Sequence, residues 1–246
     1  EDGVPTEPMA RIAFEKAGIA KAGVPLVTLS YPAGPRLEIE RASLAAGAPL
    51  AMRGEAWEAA VTELGLHYRD KLGELALPLP SLPGAHQADN AALAVAIVRQ
   101  QDFVAVSRSA MDAGIREAHW PARLQRLGKG PLTGGREVWL DGGHNADAGA
   151  MLARHFAEQR LHLVIGMLAN KDPGALLAPM HESLASVTAV PVPTHDHHPA
   201  SAFGGREAPD VPTALAALPR DGLPVLIAGS LYLAGEVLRL NGELPD

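Results

Sequence analysis

The chain has 246 residues, 47% of them hydrophobic, which is enough for one large domain or two modest ones with a real core. A formal net charge of -7 gives no basic footprint for a nucleic-acid backbone, so nucleic acid is not an expected partner. Cysteine is absent, which excludes disulfide frameworks and thiolate metal sites and fits a reducing, cytoplasmic location. The most apolar stretch, residues 223–238, is too short and too interrupted by glycine and Glu236 to span a bilayer, so no membrane partner is expected.

The first half of the sequence predicts short helices and strands. Thr6 is a plausible N-cap for a helix with apolar spacing through Ala17, which Gly18 or Gly23 would end. The other predicted elements are a buried strand at 24–29, a helix at 37–44 ending at Gly47, an extended segment at 50–57, a proline-rich segment at 77–84 that cannot be helical, and a helix at 85–100 buried on most of its surface.

The pattern changes after residues 119–135, where proline and several glycines suit a linker between domains. Apolar runs at 137–140, 161–167, 187–192 and 224–228 then alternate with helical patterns at 147–160, 173–186, 213–218 and 230–240. Strands and helices that alternate at this spacing predict a parallel sheet with right-handed crossovers. We therefore expect a small doubly wound α/β domain, with ligands bound at the carboxyl ends of its strands.

The stretch "WLDGGHNADAGAM", residues 139–151, combines polar groups with glycine directly after an apolar run. Asp141 is predicted to be the first residue beyond the strand, the two following glycines permit a tight turn, and Asn145 or Asp147 is placed to cap the next helix. A carboxylate suits a ribose hydroxyl or an amine, whereas a histidine and free amides at a helix N-terminus suit an anion. The alternative is a capped turn that binds nothing.

Several motifs, in the same order along the chain, resemble folylpolyglutamate synthase/dihydrofolate synthase, a family of the Mur ligase superfamily. "DGGHNAD" is similar to that family's Asp-Gly-Ala-His-Asn-Pro element. The other similar segments are "IAFEKAGIAKAGVPLV" at 12–27, "GAHQADNAALA" at 84–94, "HWPARLQRL" at 119–127, "IGMLANKDP" at 165–173 and "AGSLYLAGEVL" at 228–238. The resemblance implies the carboxy-terminal portion of a Mur-ligase ATPase domain at 1–118, a linker at 119–135 and a carboxy-terminal glutamate-ligase α/β domain at 136–246.

The resemblance implies an ATP-dependent ligase that uses Mg²⁺. In this family a pterin-linked carboxylate takes the γ-phosphoryl group, and the amine of L-glutamate attacks the acyl phosphate, with dihydropteroate or folate as acceptor. The resemblance places Asn90, Arg123 and Asp141 at ATP, and His144 and Ser230 near the incoming glutamate, with His144 catalytic. It implies a monomer.

Two features of the family are absent from this sequence. There is no glycine-rich loop with a lysine followed by Ser or Thr, because Lys129 in "GKGPLTGG" precedes Gly130 and Pro131. There is also no histidine before the "EKAGI" segment, since the first one is His67. Together with a first residue, Glu1, that is not Met, these absences lead us to expect a fragment without most of the ATPase domain, inactive alone.

Lys16, in "EKAGI", is the family's carbamylated lysine, and it would lie near the magnesium ion in an intact enzyme. A carbamate requires a neutral amine, and packing among Ile12, Ala13, Ala17 and Ile19 would allow the necessary burial. The alternative is an exposed lysine beside Glu15. We expect an unmodified Lys16 in this chain and a carbamate in a full-length enzyme.

Four further features have simpler interpretations. The histidines of "THDHHPAS", residues 194–201, are expected to form a solvated loop rather than a metal site. Trp120 is expected to anchor the linker, and His155 to be a hydrogen-bonded core histidine. Lys171 and Asp172 either orient a substrate or simply open a helix with Asp172 as its cap.

Two classes of function stay open at this point. The first is the ATP-dependent ligase of the folate branch, acting as dihydrofolate synthase, folylpolyglutamate synthase or both, or a different Mur-type amide ligase. The second is a non-catalytic module that binds a nucleotide or an amino acid. The reading frame upstream of Glu1 discriminates between them, because a glycine-rich lysine loop there favours the ligase.

Overall fold

A computed structural model describes residues 4–82, 84 and 86–244. The chain divides by its internal contacts into two units, Glu1–His119 and Trp120–Asp246. The first unit contains α1 (Pro8–Ala17), β1 (Leu26–Thr28), α2 (Ala33–Ala46), β2 (Leu50–Met52), β3 (Trp57–Thr62), β4 (Gly65–Asp70), β5 (Gly73–Leu77), α3 (His86–Arg99) and α4 (Arg108–Glu117). The second contains β6 (Gln125–Arg126), β7 (Val138–Asp141), α5 (Ala146–His155), β8 (Leu161–Ile165), α6 (Pro173–Met180), β9 (Leu184–Ala189), β10 (Arg206–Glu207), α7 (Val211–Ala217), β11 (Val225–Ala228) and α8 (Leu231–Asn241).

The N-cap of helix α1 lies one residue after the predicted N-cap. Glu7, not Thr6, is the N-cap, and its carboxylate accepts hydrogen bonds from the amides of Met9 and Ala10. Pro8 follows at the first helical position, where its missing N–H costs nothing. Helix α2 ends, as predicted, at Gly47, which adopts the left-handed conformation (φ 66°) that suits glycine at this position.

The first unit contains two small sheets. Strands β1 and β2 pair in parallel, and they share a core with α1 and α2. Strands β3, β4 and β5 form an antiparallel meander that the sequence analysis missed. Its turns are two residues long, since Thr62 pairs with Gly65 and Asp70 with Gly73. Neither turn carries the Asn-Gly or Asp-Gly pair that most strongly indicates a hairpin.

Helix α3 is exposed along one stripe only, and its other residues are buried or half-buried, which agrees with the predicted burial of most of its surface. Ala88, Ala92 and Ala96 face the meander, whereas Ile97 is 49% exposed. The helix follows a proline-rich segment that is not helical where the structure describes it, and Pro83 and Ala85 lie outside the described residues.

A buried ion pair ties α3 to the meander. The guanidinium of Arg99 binds the Asp70 carboxylate through two nitrogens, at 2.7 and 2.5 Å, and the Asp70 side chain is fully buried. Tyr68 donates its hydroxyl to the same carboxylate at 3.2 Å. Burial acts to raise the pKa of Asp70, but the hydrogen bonds from Arg99, the Leu72 amide and Tyr68, together with the positive charge of Arg99, outweigh it and hold that pKa below its usual value. The carboxylate therefore stays charged in the fold.

We predict that Asp70→Asn destabilises the first unit at neutral pH by about 3 kcal/mol, because the buried Arg99 charge loses its partner. Since folding lowers the pKa of Asp70, its contribution is present above the unfolded value of 3.8 and is lost as the pH falls through the folded value. Urea unfolding from pH 7 to pH 3 should show the two proteins converging. Asp112→Asn, which breaks an exposed pair with Arg108, is the control and should cost under about 0.5 kcal/mol. A loss equal to that of the control would contradict the prediction.

The second unit is built on a six-stranded sheet in the order β10, β9, β8, β11, β7, β6. Only β6 runs antiparallel to its neighbour within this sheet. Alternate residues of β11 point to opposite faces: Ile227 packs against the core that contains α7 and α8, and Leu226 against the core that contains α5 and α6. Helices thus cover both faces, which confirms the predicted doubly wound α/β fold. No helix among the described residues is long and apolar enough to cross a membrane.

Two predicted boundaries in this unit differ from the structure. The helix predicted over residues 173–186 ends at Met180, because Leu184–Ala189 is a strand that pairs with β8. Residues 120–135, predicted as part of a linker, lie in the second unit, and Gln125–Arg126 pairs with β7. Pairing with the sheet determines both boundaries, and local sequence pattern does not contain that information.

Helices α5 and α6 approach closely at Gly149. A Cβ at that position would lie 2.7 Å from the Ala175 carbonyl oxygen and 3.1 Å from the Leu176 Cα, which are backbone atoms that cannot move aside cheaply. Gly235 in α8 is the natural comparison, because a Cβ there would have no neighbour within 4 Å.

We predict that Gly149→Ala destabilises the second unit by about 1 to 3 kcal/mol through overpacking. Gly235→Ala should instead stabilise it by roughly 0.5 to 1 kcal/mol, since alanine is the better helix former and has space. Denaturant unfolding of both variants tests the pair. Stabilisation by both substitutions would show that the close approach of α5 and α6 is not real.

Candidate functional site

The carboxyl ends of the parallel strands place two polar segments side by side. Strand β11 lies between β7 and β8, and Ala228 pairs with Asp141 on one side and with Ile165 on the other. Ser230 therefore lies two residues beyond Ala228, the residue that pairs with Asp141. Asp141 and Ser230 thus lie at one edge of the sheet, as the predicted parallel topology requires. We call this edge, with the loops that follow β7, β8, β9 and β11, the carboxyl rim.

Asp141 was predicted to be the first residue beyond the strand, but it is the last residue of β7. Its side chain is buried, with only 1% of the residue exposed. Its Oδ1 accepts a hydrogen bond from the Gly143 amide at 2.7 Å, and its Oδ2 accepts one from the Leu124 amide at 2.8 Å. One carboxylate thus joins the turn after β7 to a segment 17 residues earlier in the chain.

That earlier segment carries Arg123 in an unusual backbone conformation. Ala122 (φ 58°) and Leu124 (φ 45°), on either side of Arg123, both have left-handed φ angles, which are uncommon for residues other than glycine. The Ala122 carbonyl accepts the Gly142 amide at 2.8 Å, and the Ala122 amide binds the side chain of Gln125 at 2.9 Å. Arg123 itself is exposed. The segment presents a guanidinium to solvent.

His144 lies in the turn between β7 and α5 and is half-buried, with its Nδ1 3.4 Å from the Gly142 carbonyl oxygen. Asn145 caps α5 by accepting the Ala148 amide at 2.9 Å. Of the two predicted caps, Asn145 is therefore the correct one. An imidazole beside a helix N-terminus can hold an anion or exchange a proton there.

Ser230 is the N-cap of α8, and its hydroxyl accepts the Tyr232 amide at 3.1 Å. The residue is 4% exposed. The preceding Gly229 has a φ of 110°, and a Cβ on it would lie 2.7 Å from the carbonyl oxygen of Gly166 in the loop after β8. Glycine is needed here because two strand ends of the carboxyl rim meet backbone to backbone.

The histidine-rich loop packs on the carboxyl rim instead of being simply solvated. His195 stacks on Tyr232 with 3.7 Å between ring centroids, and its Nδ1 lies 2.8 Å from the Pro193 carbonyl oxygen. His198 contacts the Lys171 carbonyl through its Nε2 at 2.6 Å. The sequence analysis missed His195 and Tyr232 as rim residues, although both follow predicted strands, which was the available signal. Among the described residues no group of three acidic or histidine side chains could hold a metal ion.

Two other expectations about aromatic side chains are wrong. Trp120 is 60% exposed, so it does not anchor the segment that contains it. His155 is also exposed, and its ring meets Trp139 edge-on at 5.1 Å between centroids, so it is not a core histidine.

Asp172 caps α6 by accepting the Gly174 amide at 2.9 Å, which is the structural alternative given for this residue.

The first unit carries the remaining two predicted site residues. Lys16 is an exposed residue of α1, and Ile12 (50%) and Ile19 (72%) beside it are exposed as well, so the burial proposed for its amine is not present here. Asn90 is an exposed residue of α3 whose side-chain amide donates to Gln87 at 3.0 Å. Both side chains are open to solvent.

Chemically, the carboxyl rim combines a cation, a titratable imidazole and helix N-termini at the ends of parallel strands. Arg123 and the amides near His144 suit anionic groups such as phosphate or carboxylate. The arrangement fits a phosphate-containing ligand or an amino acid.

Comparison with known proteins points to one group of enzymes, although no family model matches the chain. Folylpolyglutamate synthase of Lacticaseibacillus casei is 31% identical over 92% of this chain. A solved bifunctional folylpolyglutamate synthase/dihydrofolate synthase of Yersinia pestis, complexed with AMPPNP and Mn, superposes with a TM-score of 0.73 at 26% identity over 94% of this chain. A structure of such an enzyme with Mn, AMPPNP and L-glutamate bound gives a TM-score of 0.76 at 26% identity, also over 94%.

The chain spans 56% of each of these three proteins. The similarity covers both units, and it agrees with motifs that lie in the same order along the sequence. On these grounds the chain belongs to the folylpolyglutamate synthase/dihydrofolate synthase family of the Mur ligase superfamily.

Proposed function

We propose that this chain supplies the glutamate-binding part of an ATP-dependent ligase that adds L-glutamate to dihydropteroate or to folate polyglutamate tails. The observation that carries the proposal is the β7–β11 register, which places Asp141 level with Ala228 and brings the segments of His144 and Ser230 to one rim. Relatives named for this activity, and a solved relative with L-glutamate bound, support it.

The proposed roles follow the motifs. In the second unit Arg123 and Asp141 serve the nucleotide, and His144 and Ser230 serve the incoming glutamate. In the first unit Asn90 serves the nucleotide, and Lys16 becomes a magnesium ligand only as a carbamate in an intact enzyme. Solved relatives with AMPPNP and Mn support ATP and a divalent ion as the cofactors. The acceptor is a carboxylate of dihydropteroate or folate, and the protein acts as a cytoplasmic monomer.

The residues present fit part of this chemistry. Arg123 is exposed on a constrained backbone and can neutralise phosphate charge. Magnesium, when bound, would spread the charge that develops on the transferred phosphoryl group. His144, which is half-buried beside an N-terminus, is placed to hold the glutamate carboxylate or to accept a proton from its amine as the amide forms. A loop to hold the β- and γ-phosphates in line is absent from the 246 residues.

We predict that these 246 residues bind L-glutamate but show no ATP-dependent turnover with glutamate and dihydropteroate, because phosphoryl transfer depends on positioning the phosphates. Calorimetry with L-glutamate, together with an assay of ADP release, measures both properties. His144→Ala should weaken glutamate binding about tenfold or more, since one charge-assisted hydrogen bond is lost. His155→Ala, at the far end of the helix that follows His144 and outside the site, is the matched control. A wild-type chain without glutamate affinity would contradict the proposed function, and turnover would contradict the inactivity.

We also predict that Lys16 is unmodified in this chain, because carbamylation requires a desolvated amine and the Lys16 side chain is exposed. Native mass spectrometry in bicarbonate buffer should show no added carbon dioxide on Lys16. Lys21, which is also exposed, provides the internal comparison. A carbamate on Lys16 and none on Lys21 would show that this chain already activates the amine.

A further inference from the structure

We propose that the imidazole of His195 binds the ammonium group of the incoming amino acid through its Nε2 atom. The inference rests on the proposed function, which brings an amino acid to the carboxyl rim, and it adds a residue of the histidine-rich loop to that site. The loop that follows β9 holds this one ring in a fixed position and leaves one of its nitrogens free.

The His195 ring lies against the start of α8. It stacks on the ring of Tyr232, with 3.7 Å between the centroids and 26° between the ring planes. Tyr232 is in the first turn of α8, and its backbone amide donates to the hydroxyl of Ser230 at 3.1 Å. The imidazole is therefore next to the segment that carries Ser230, a residue proposed to serve the incoming glutamate.

The hydrogen bonds of His195 determine which of its nitrogens carries the proton. Nδ1 lies 2.8 Å from the carbonyl oxygen of Pro193. Because a carbonyl oxygen only accepts, Nδ1 is the donor, and Nε2 of the neutral ring is then an acceptor. Within the described part of the chain, Nε2 of His195 receives no hydrogen bond, although the residue is half-buried. The ring thus presents one lone pair at the carboxyl rim.

The backbone that precedes His195 is strained. Thr194 has a φ of 59°, in the left-handed region, and a β-branched residue rarely adopts that conformation. Its hydroxyl lies 3.3 Å from Nδ1 of His195. Strain of this kind persists only where the surrounding structure imposes it, and it is common at ligand sites.

Contacts with the neighbouring loop impose the position of this segment. The carbonyl of Asp196 accepts the amide of Ala169 at 3.1 Å, and the amide of His198 donates to the carbonyl of Met167 at 3.0 Å. Ala169 and Met167 belong to the loop that follows β8, so two loops of the carboxyl rim are joined on either side of residue 197. His195 therefore has few alternative positions.

The chemistry of Nε2 selects the part of the ligand that it binds. An amino acid carries an ammonium group, which only donates hydrogen bonds, and carboxylates, which only accept them. An acceptor nitrogen matches the ammonium group, whereas a carboxylate requires a donor. Amides at a helix N-terminus and the imidazole of His144 can supply such donors. The assignment of the ammonium group to His195 leaves His144 to hold a carboxylate of the same ligand.

The proposal requires the proton of the neutral His195 ring to be on Nδ1, and this can be checked without any ligand. A ¹⁵N–¹H NMR correlation of the imidazole nitrogens at alkaline pH should show Nδ1 as the protonated atom, because the Pro193 carbonyl requires a donor. A neutral ring with its proton on Nε2 would overturn the proposal, since that nitrogen could not then accept from an ammonium group.

Calorimetry with two ligands tests the contact itself. Glutarate has the two carboxylates of L-glutamate but no ammonium group. His195→Phe keeps a ring on Tyr232 and removes Nε2, so it should weaken the binding of L-glutamate about tenfold and change that of glutarate less than about twofold. His197→Phe makes the same exchange at an exposed position of the same loop and should change neither affinity.

Each other outcome identifies what is wrong. Equal losses for L-glutamate and glutarate would show that the ring contacts a carboxylate or only supports the loop, and unchanged affinities would show that it does not touch the ligand. Either result overturns the role of His195 and leaves the proposed function intact. A wild-type chain that does not bind L-glutamate would contradict the proposed function, and the inference would fall with it.

Discussion

The parallel pairing of β11 between β7 and β8 is the constraint on which the carboxyl rim depends. Because Ala228 is level with both Asp141 and Ile165, three strand ends reach the rim at the same height. Their loops then have little room, and glycine occurs where backbones approach, at Gly166 and Gly229. The sheet is buried on both faces by helices, so its register cannot slip without exposing hydrophobic side chains. The position of each polar side chain on the rim therefore follows from the hydrophobic core beneath it.

The two units use charge in different ways. In the first unit, Asp70 and Arg99 neutralise each other in a buried pair that joins α3 to the meander. On the carboxyl rim, by contrast, the buried carboxylate of Asp141 is bound by backbone amides, whereas the nearby guanidinium of Arg123 is left exposed.

Much of the second unit could be predicted from its sequence, because buried parallel strands are continuous apolar runs and the helices between them have amphipathic spacing. The same topology places Asp141 and Ser230 at one edge of the sheet. The antiparallel meander of the first unit was missed because its two-residue turns, Glu63-Leu64 and Lys71-Leu72, lack the usual turn residues. The exposure of Trp120 and His155 could not be predicted either, since an aromatic side chain in a mixed pattern does not indicate what packs on it.

The hydrogen bonds that Asp141 accepts from the Leu124 and Gly143 amides were beyond sequence analysis for a more specific reason. A motif such as "DGGHN" identifies residue types suited to a ligand, but a hydrogen bond to Leu124 depends on the path of a chain segment 17 residues away. Burial then changes what the acid can do: a carboxylate with 1% exposure must satisfy its oxygens within the protein before it can offer anything to a ligand. Arg123 has the opposite circumstances, with its side chain in solvent and its backbone constrained. The buried acid therefore determines the backbone geometry of this part of the rim, whereas the charge of Arg123 stays in solvent.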